Sequence, residues 1–251
     1  MLLVACLSLA STALAQISTF TLDNKPDRIT ITFYPPKDSA TPAVAGAPFS
    51  ADEVHETVKT LADGTHVTDP VSTRHIVRDS HGRSRTDRPI FQGISVIEIR
   101  DRVEGSYYLL DDHNKVAHRF AAPQTVKPTK PSEDFKPAFP ASPDHPQGSI
   151  EQLGSQWIEG LSAQGVRQTI VWPAGSHSND RPITSVTETW YSPELQTQLQ
   201  TISKDPRFGD TSVKLIHIDR TEPDPALLRP PQDYRIVDET ASFTMTVPRP
   251  R

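Results

Sequence analysis

Runs of four to eight alternating, β-branched residues recur along this chain, each closed by a cluster of Gly, Pro, Asn, Asp or Ser. This punctuation admits few folds. A side-chain period of two at intervals of about 8–15 residues is the pattern of an antiparallel meander, and no stretch sustains the 3.6-residue period of a long helix. The runs start with Ile29–Tyr34, stopped by Pro35-Pro36. A β-prone run holding Val54 and Val58 follows, closed by Asp63-Gly64, a hairpin signal. Next come Ser72–Arg78 and a returning strand over Gly82–Asp87, then Ile94–Arg100, Tyr107–Leu110 and Val116–Phe120.

A second series starts at Ile150. Gln156–Gln164 and Val166–Trp172 read as two strands flanking Gly165, and Ser185–Tyr191 as another. The stretch from Leu195 to Thr201 fits a short helix or a strand. Strict alternation favours the strand, and Lys204–Gly209 supplies the turn into Val213–Ile218. A short helical turn is expected near Pro225–Leu228, and the tail after Ala241 reads as loosely ordered.

Proline numbers 24 of 251 residues, about twice the usual share of ~5%. Seven prolines fall between residues 121 and 146, where they disfavour any central strand and favour extended chain. The organisation expected is a leader over 1–15 and a polar, Pro-rich lead over 16–50. A β domain over 51–240 follows, in two halves (51–120 and 150–240) joined by a Pro-rich loop, 121–149, with 241–251 as a tail. The leader is read from the apolar run Leu2–Ala15 ending in Ala13-Leu14-Ala15, which matches a signal-peptide cleavage site and implies a periplasmic or secreted protein. Its removal takes away Cys6, the one cysteine, leaving neither a disulfide nor a thiolate. No later segment is apolar for long enough to cross a membrane as a helix.

The stretch Arg74–Asp87 (RHIVRDSHGRSRTD) gathers two histidines, two aspartates and two serines. A serine nucleophile needs an imidazole within hydrogen-bond reach, and neighbouring Ser80 and His81 in a turn point apart. Asp79-Ser80-His81-Gly82 has the composition a tight turn requires, so the reading is a hairpin tip. Arg74, Arg78, Arg83, Arg85 and Arg88 then read as a solvated edge that resists sheet-to-sheet association. No G-x-S-x-G, H-E-x-x-H, G-x-x-x-x-G-K or G-x-G-x-x-G occurs, so no catalytic residue, metal site or cofactor is assigned. Net charge is −5 with both signs interspersed, unlike the basic footprint of a nucleic-acid binder. The aromatics on expected strands, Tyr108, Trp157, Trp172 and Trp190, are core residues or the lining of an apolar site.

Glu188-Thr189-Trp190-Tyr191-Ser192-Pro193, the turn ending in Gly209, Val213–Arg220 and the segment Pro230–Asp238 together resemble the closing strands of the LolA-like superfamily, and Tyr107–Lys115 resembles its strand-turn. The resemblance implies a strongly curved, unclosed antiparallel sheet with an apolar concave face, often covered by helices; a β-sandwich is the alternative. That superfamily includes periplasmic carriers of lipoprotein acyl chains and periplasmic stress-sensor domains. The reading is therefore a non-enzymatic exported protein that binds an apolar ligand (a lipid or acyl chain) or a protein partner on its sheet. An interaction module of the cell envelope, docking through its Pro-rich segment, is the alternative; a hydrolase fits less well.

Overall fold

The computed structural model describes residues 20–24, 28–34, 43–61, 63–91, 94–122, 147–176 and 178–248. The expected leader, Cys6, Pro35-Pro36 and nearly all of the Pro-rich loop lie outside the described residues. Within them the secondary structure is strand, with a single 3-10 turn at Pro225–Leu228 where the sequence places a short helical turn. Asp224 caps that turn, its carboxylate accepting from the Ala226 amide. The fold is mainly β and antiparallel, as expected, and in neither of its two compact units does the strand order close on itself.

In chain order the strands are β1 (Phe20–Asn24), β2 (Arg28–Phe33), β3 (Phe49–Thr60), β4 (His66–Thr68), β5 (Ser72–Arg78), β6 (Ser84–Phe91), β7 (Ile94–Asp101) and β8 (Ser106–Asp111). They continue as β9 (Val116–Ala121), β10 (Gln147–Ile158), β11 (Leu161–Trp172), β12 (Ile183–Ser192), β13 (Thr197–Asp205), β14 (Gly209–Asp219), β15 (Arg235–Asp238) and β16 (Phe243–Pro248). β2, β5, β7, β8, β9 and β12 appear within two residues of their expected bounds, while β3, β6, β10, β11, β13 and β14 run further than expected. The compact units, however, do not follow the two sequence halves. One gathers Met1–Ser50, His75–Pro128 and Arg220–Arg251; the other gathers Ala51–Arg74 and Thr129–Asp219. The chain changes unit within β3 and within β5.

The first unit is a sandwich. Its larger sheet runs β5-β6-β7-β8-β9-β15, with β15 parallel to β9, and its smaller one runs β1-β2-β16. Alternation in β2 turns Ile29, Ile31 and Phe33 inward, all fully buried, and Met245 and Val247 of β16 join them. They pack on Val96, Tyr107, Leu109 and Phe120 of the larger sheet. Each of these large side chains contributes roughly 1.5–3 kcal/mol by leaving water. Two expectations change here: the lead supplies Ile29, Ile31 and Phe33 to a core, and the tail is a paired strand, β16 on β2. Periodicity alone could not show it, because the inner faces meet only when chain ends 200 residues apart in sequence are brought together. The opposite face of the larger sheet buries Ile99, Tyr108, Leu110 and Ala117, with Tyr234 packed against them.

The second unit is one antiparallel sheet, β10-β11-β12-β13-β14-β3, with β4 paired to β3. The β10–β11 turn is Glu159-Gly160, both at positive φ (49° and 74°), a two-residue hairpin of the kind that follows strand twist. The sequence reading placed the break at Gly165. That glycine lies inside β11 for a different reason: a methyl group there would come within 2.5 Å of Trp190 Cζ3, its cross-strand partner. Gly165 makes room for a ring, and Gly160 makes the turn. Irregularities in β10 (Gln152/Gly154) and β12 (Trp190/Tyr191) bend those strands locally.

Candidate functional site

β11 is in unbroken register with β12, so it serves as a ruler for the faces of the second unit. Residues of one parity (Gly165, Arg167, Thr169, Val171) share a face with Trp190, Glu188, Val186 and Thr184. This face is polar. Arg167 bridges Glu151 on β10 and Glu188 on β12, each at 2.8 Å, and the pairing raises the guanidinium pKa, chiefly through Glu188. Trp190 lies over Gly165 at its edge.

The other face carries Val166, Gln168, Ile170 and Trp172 on β11, with Thr189, Thr187, Ser185 and Ile183 opposite them on β12 and Tyr191 opposite Gln164. Ile150 extends it across from Gln168 on β10, and Val213 across from Thr201 on β14. These side chains are half-buried or exposed, and among the described residues of this unit no second layer packs on them. Val166, Ile170, Trp172, Ile183 and Tyr191 alternate on this face with Gln, Ser and Thr and stay partly exposed, and exposed apolar patches mark binding surfaces. At its Trp172 end, the Arg207 guanidinium stands 5.1 Å from the Trp172 ring and 5.1 Å from the Phe208 ring. Asp205 holds it in a two-pronged pair at 2.9 and 2.7 Å, which raises its pKa.

The four aromatics chosen from sequence therefore separate. Trp172 and Trp157 share the apolar face by β11 parity, Trp157 being 77% exposed opposite Ser162. Trp190 sits on the reverse, polar face. Tyr108 belongs to the sandwich unit, where it is 9% exposed and lines a surface cleft of about 370 Å³. Asp101, Glu104, Leu228, Arg229, Pro230 and Tyr234 are among the other lining residues. Tyr234 is fixed there: its hydroxyl donates to Asp112 Oδ1 at 2.5 Å, while Lys115 Nζ lies 4.9 Å over its ring and 2.7 Å from Asp112. Burial, then the Asp112 hydrogen bond, pushes the Tyr234 pKa up; the Lys115 and Tyr234 hydrogen bonds pull that of Asp112 down. Sequence reading did not pick out the cleft, because its walls come from the β7–β8 turn and from residues over a hundred positions later.

The serine–histidine stretch is a hairpin tip, with Asp79 and Arg83 paired across it and Gly82 at φ 85°. Ser80 Oγ donates to Glu222 at 3.0 Å, and the His81 ring reaches Asp79 only at 3.7 Å. Asp79, His81 and Glu222 bring three ligand-type atoms within 4.8 Å of one another. The buried Asp79 carboxylate already accepts from the His81 and Arg83 amides and from Arg83 Nε, at 3.0, 2.8 and 2.6 Å. The group is a lock on the turn. The arginines nearby are not the solvated edge expected. Arg78 is buried, donating twice to the Ala47 carbonyl (2.9 and 2.7 Å) over the Phe49 ring, and Arg74 is buried against Glu53. Arg83 and Arg85 pair with Asp79 and Asp87. Long amphipathic stems that pack on apolar surface account for the difference.

No protein family matches the sequence, and no curated protein does. Among solved structures, the chain is similar to the LolA superfamily protein NE2245 from Nitrosomonas europaea, at 10% identity and a TM-score of 0.33, over 73% of this chain and 90% of that one. It is similar to MucB, at 11% identity and a TM-score of 0.38, over 78% of this chain and 61% of that one. Lipoprotein LppX from Mycobacterium tuberculosis is similar at 12% identity and a TM-score of 0.26, over 71% and 90%.

Proposed function

We propose that this chain is a non-enzymatic exported protein that binds an apolar ligand, an acyl chain, along the Val166–Trp172 face of its single-layer sheet. The carrying observation is that Val166, Ile170, Trp172 and Ile183 share one face with no layer over it among the described residues of that unit. An acyl chain suits a strip on which Val166, Ile170, Trp172, Ile183 and Tyr191 are spaced by uncharged side chains, because burying each methylene contributes about 0.8 kcal/mol without needing a matched polar group. The threonines between the aliphatic positions keep the strip compatible with water when empty. Export rests on the apolar N-terminal run and its A-x-A ending. The implication of helices covering the sheet is not part of this reading, since the described residues contain no α-helix.

Brominated fatty acid, titrated into variants that each keep one tryptophan, tests it. Bromine quenches an indole only at contact, so the variant retaining Trp172 is expected to lose fluorescence with saturation while the variant retaining Trp190 on the reverse face keeps it. Equal quenching of both, or of neither, removes the reading.

A further inference from the structure

The sheet of the second unit ends on β10, and among the described residues no strand pairs with the outer edge of β10. From Gly148 to Ile158 every residue except Leu153 and Ile158 is exposed. Edges are ordinarily blunted by shortness, lysine, proline or inward-pointing charge. β4, at the other side of this sheet, has three residues. β10 has 12, with neither lysine nor proline, and its one charge, Glu151, is held by Arg167 of β11. Trp157 stands on this edge 77% exposed, more than any other large apolar side chain among the described residues. A large ring beside an unpaired backbone ladder suits an interface made by strand addition.

The edge is complementary to itself because of its bulge. Ile150 and Trp157, an odd number of positions apart, would fall on opposite faces of a regular strand. The irregularity between Gln152 and Gly154 adds Leu153, so that Ile150 lies across from Gln168 and Trp157 across from Ser162, on one face. An antiparallel pairing of β10 with a second copy, about a two-fold axis at Leu153-Gly154, sets Trp157 of each copy beside Ile150 of the other. The same register sets Glu151 opposite Gln156, Gln152 opposite Ser155 and Glu159, past the strand end, opposite Gly148, so no like charges meet. We propose that β10 pairs in this register with β10 of a second copy, joining the two sheets through backbone hydrogen bonds and two Trp157–Ile150 contacts. One strand a side is less than the roughly 20–30 residues of a standard interface, so the dimer is reversible. The pairing does not depend on the acyl-binding reading and stands or falls without it.

Sedimentation velocity of the full chain over a roughly hundredfold range of concentration, with a charge pair built at the contact, tests the proposal. The native chain is expected to pass from monomer to dimer as concentration rises, and the β10 amides to gain hydrogen-exchange protection in step. Trp157→Lys is expected to weaken self-association at least about tenfold, since a central tryptophan dominates a small contact. Adding Ile150→Glu, which meets the new cation across the two-fold axis, is expected to restore it. Both positions are exposed, so the far-ultraviolet circular dichroism of each variant should match that of the native chain. A native chain that stays monomeric throughout overturns the pairing, whether its edge is covered by its own chain or taken by another protein. So does a dimer that Trp157→Lys leaves intact, which would use another surface. Failure of the folded double variant to recover the dimer overturns the register and the proposal with it.

Discussion

The sandwich unit buries Ile29, Ile31 and Phe33 completely between two sheets, whereas the aliphatic and aromatic residues of the single-layer unit, from Val166 to Trp172, are at best half-buried beside their strand neighbours. Both are built from the same element, an antiparallel strand with alternating side chains. They differ in whether another layer arrives. In the first, β2 and β16 close over β7, β8 and β9, and Tyr234 with Leu228 backs the other side. In the second, cross-strand contacts and the Glu151–Arg167–Glu188 ladder hold the sheet, and Val166 to Trp172 stay half-buried. Stability is concentrated where layers stack, and unsatisfied apolar surface remains where they do not.

Truncating the stacked core tests this contrast most strongly. Phe33 is fully buried and stacked on Phe243 at 5.3 Å. Phe33→Ala is expected to lower unfolding free energy by about 3–5 kcal/mol in urea titrations of the full chain. A loss as small as that at the open face would erase the distinction between the units. Next in size is Arg78→Met, which leaves the Ala47 carbonyl without its two donors; about 1–3 kcal/mol is expected by the same measurement.

Gly165→Ala probes a tightly packed point of the second unit's sheet. The methyl group must push the Trp190 ring aside, with an expected loss of about 1–3 kcal/mol and a shift in Trp190 emission. No shift would mean that the ring does not rest on residue 165. Ile170→Thr sits on the uncovered face and is expected to cost less than about 1 kcal/mol while weakening fatty-acid binding several-fold. Were it to cost as much as the core truncation, that face would be core.

The smallest effect is on pH. Asp238, paired to Arg119, and Asp112, paired to Lys115 and Tyr234, have carboxyls held below their ordinary values. Their folded pKa values lie below the unfolded ones, so they add stability above about pH 4 and lose it as pH falls through the folded values. Both pairs are exposed, so the change is slight. A small decline in melting temperature below pH 4, absent in Asp112→Asn/Asp238→Asn, would show it.

Strand positions were legible because they depend on neighbours two residues apart and on turn chemistry. Ser72–Arg78 and Ile94–Arg100 needed nothing from the rest of the chain, and Pro225–Leu228 carried its own cap and prolines. The aromatic site was only half legible. Trp172 and Trp157 fall on one face and Trp190 on the other because of register with β11, and register is a relation between strands.

By itself, then, the sequence determined an antiparallel β protein, the bounds of β2, β5, β7, β8, β9 and β12 to within two residues, and that Asp79–Gly82 turns a corner. The tertiary structure decided which strands share a core, drawing the N-terminal lead and the C-terminal tail onto β7–β9, burying Leu161, Leu199 and Leu215 in the second unit and leaving Val166–Trp172 of β11 half-buried. It also decided that Gly165 is a seat for Trp190 and that Arg74 and Arg78 are buried. The physical reason is the range of the forces. Alternation and turn preference act over a few residues, whereas burial depends on which distant segment lands on a face.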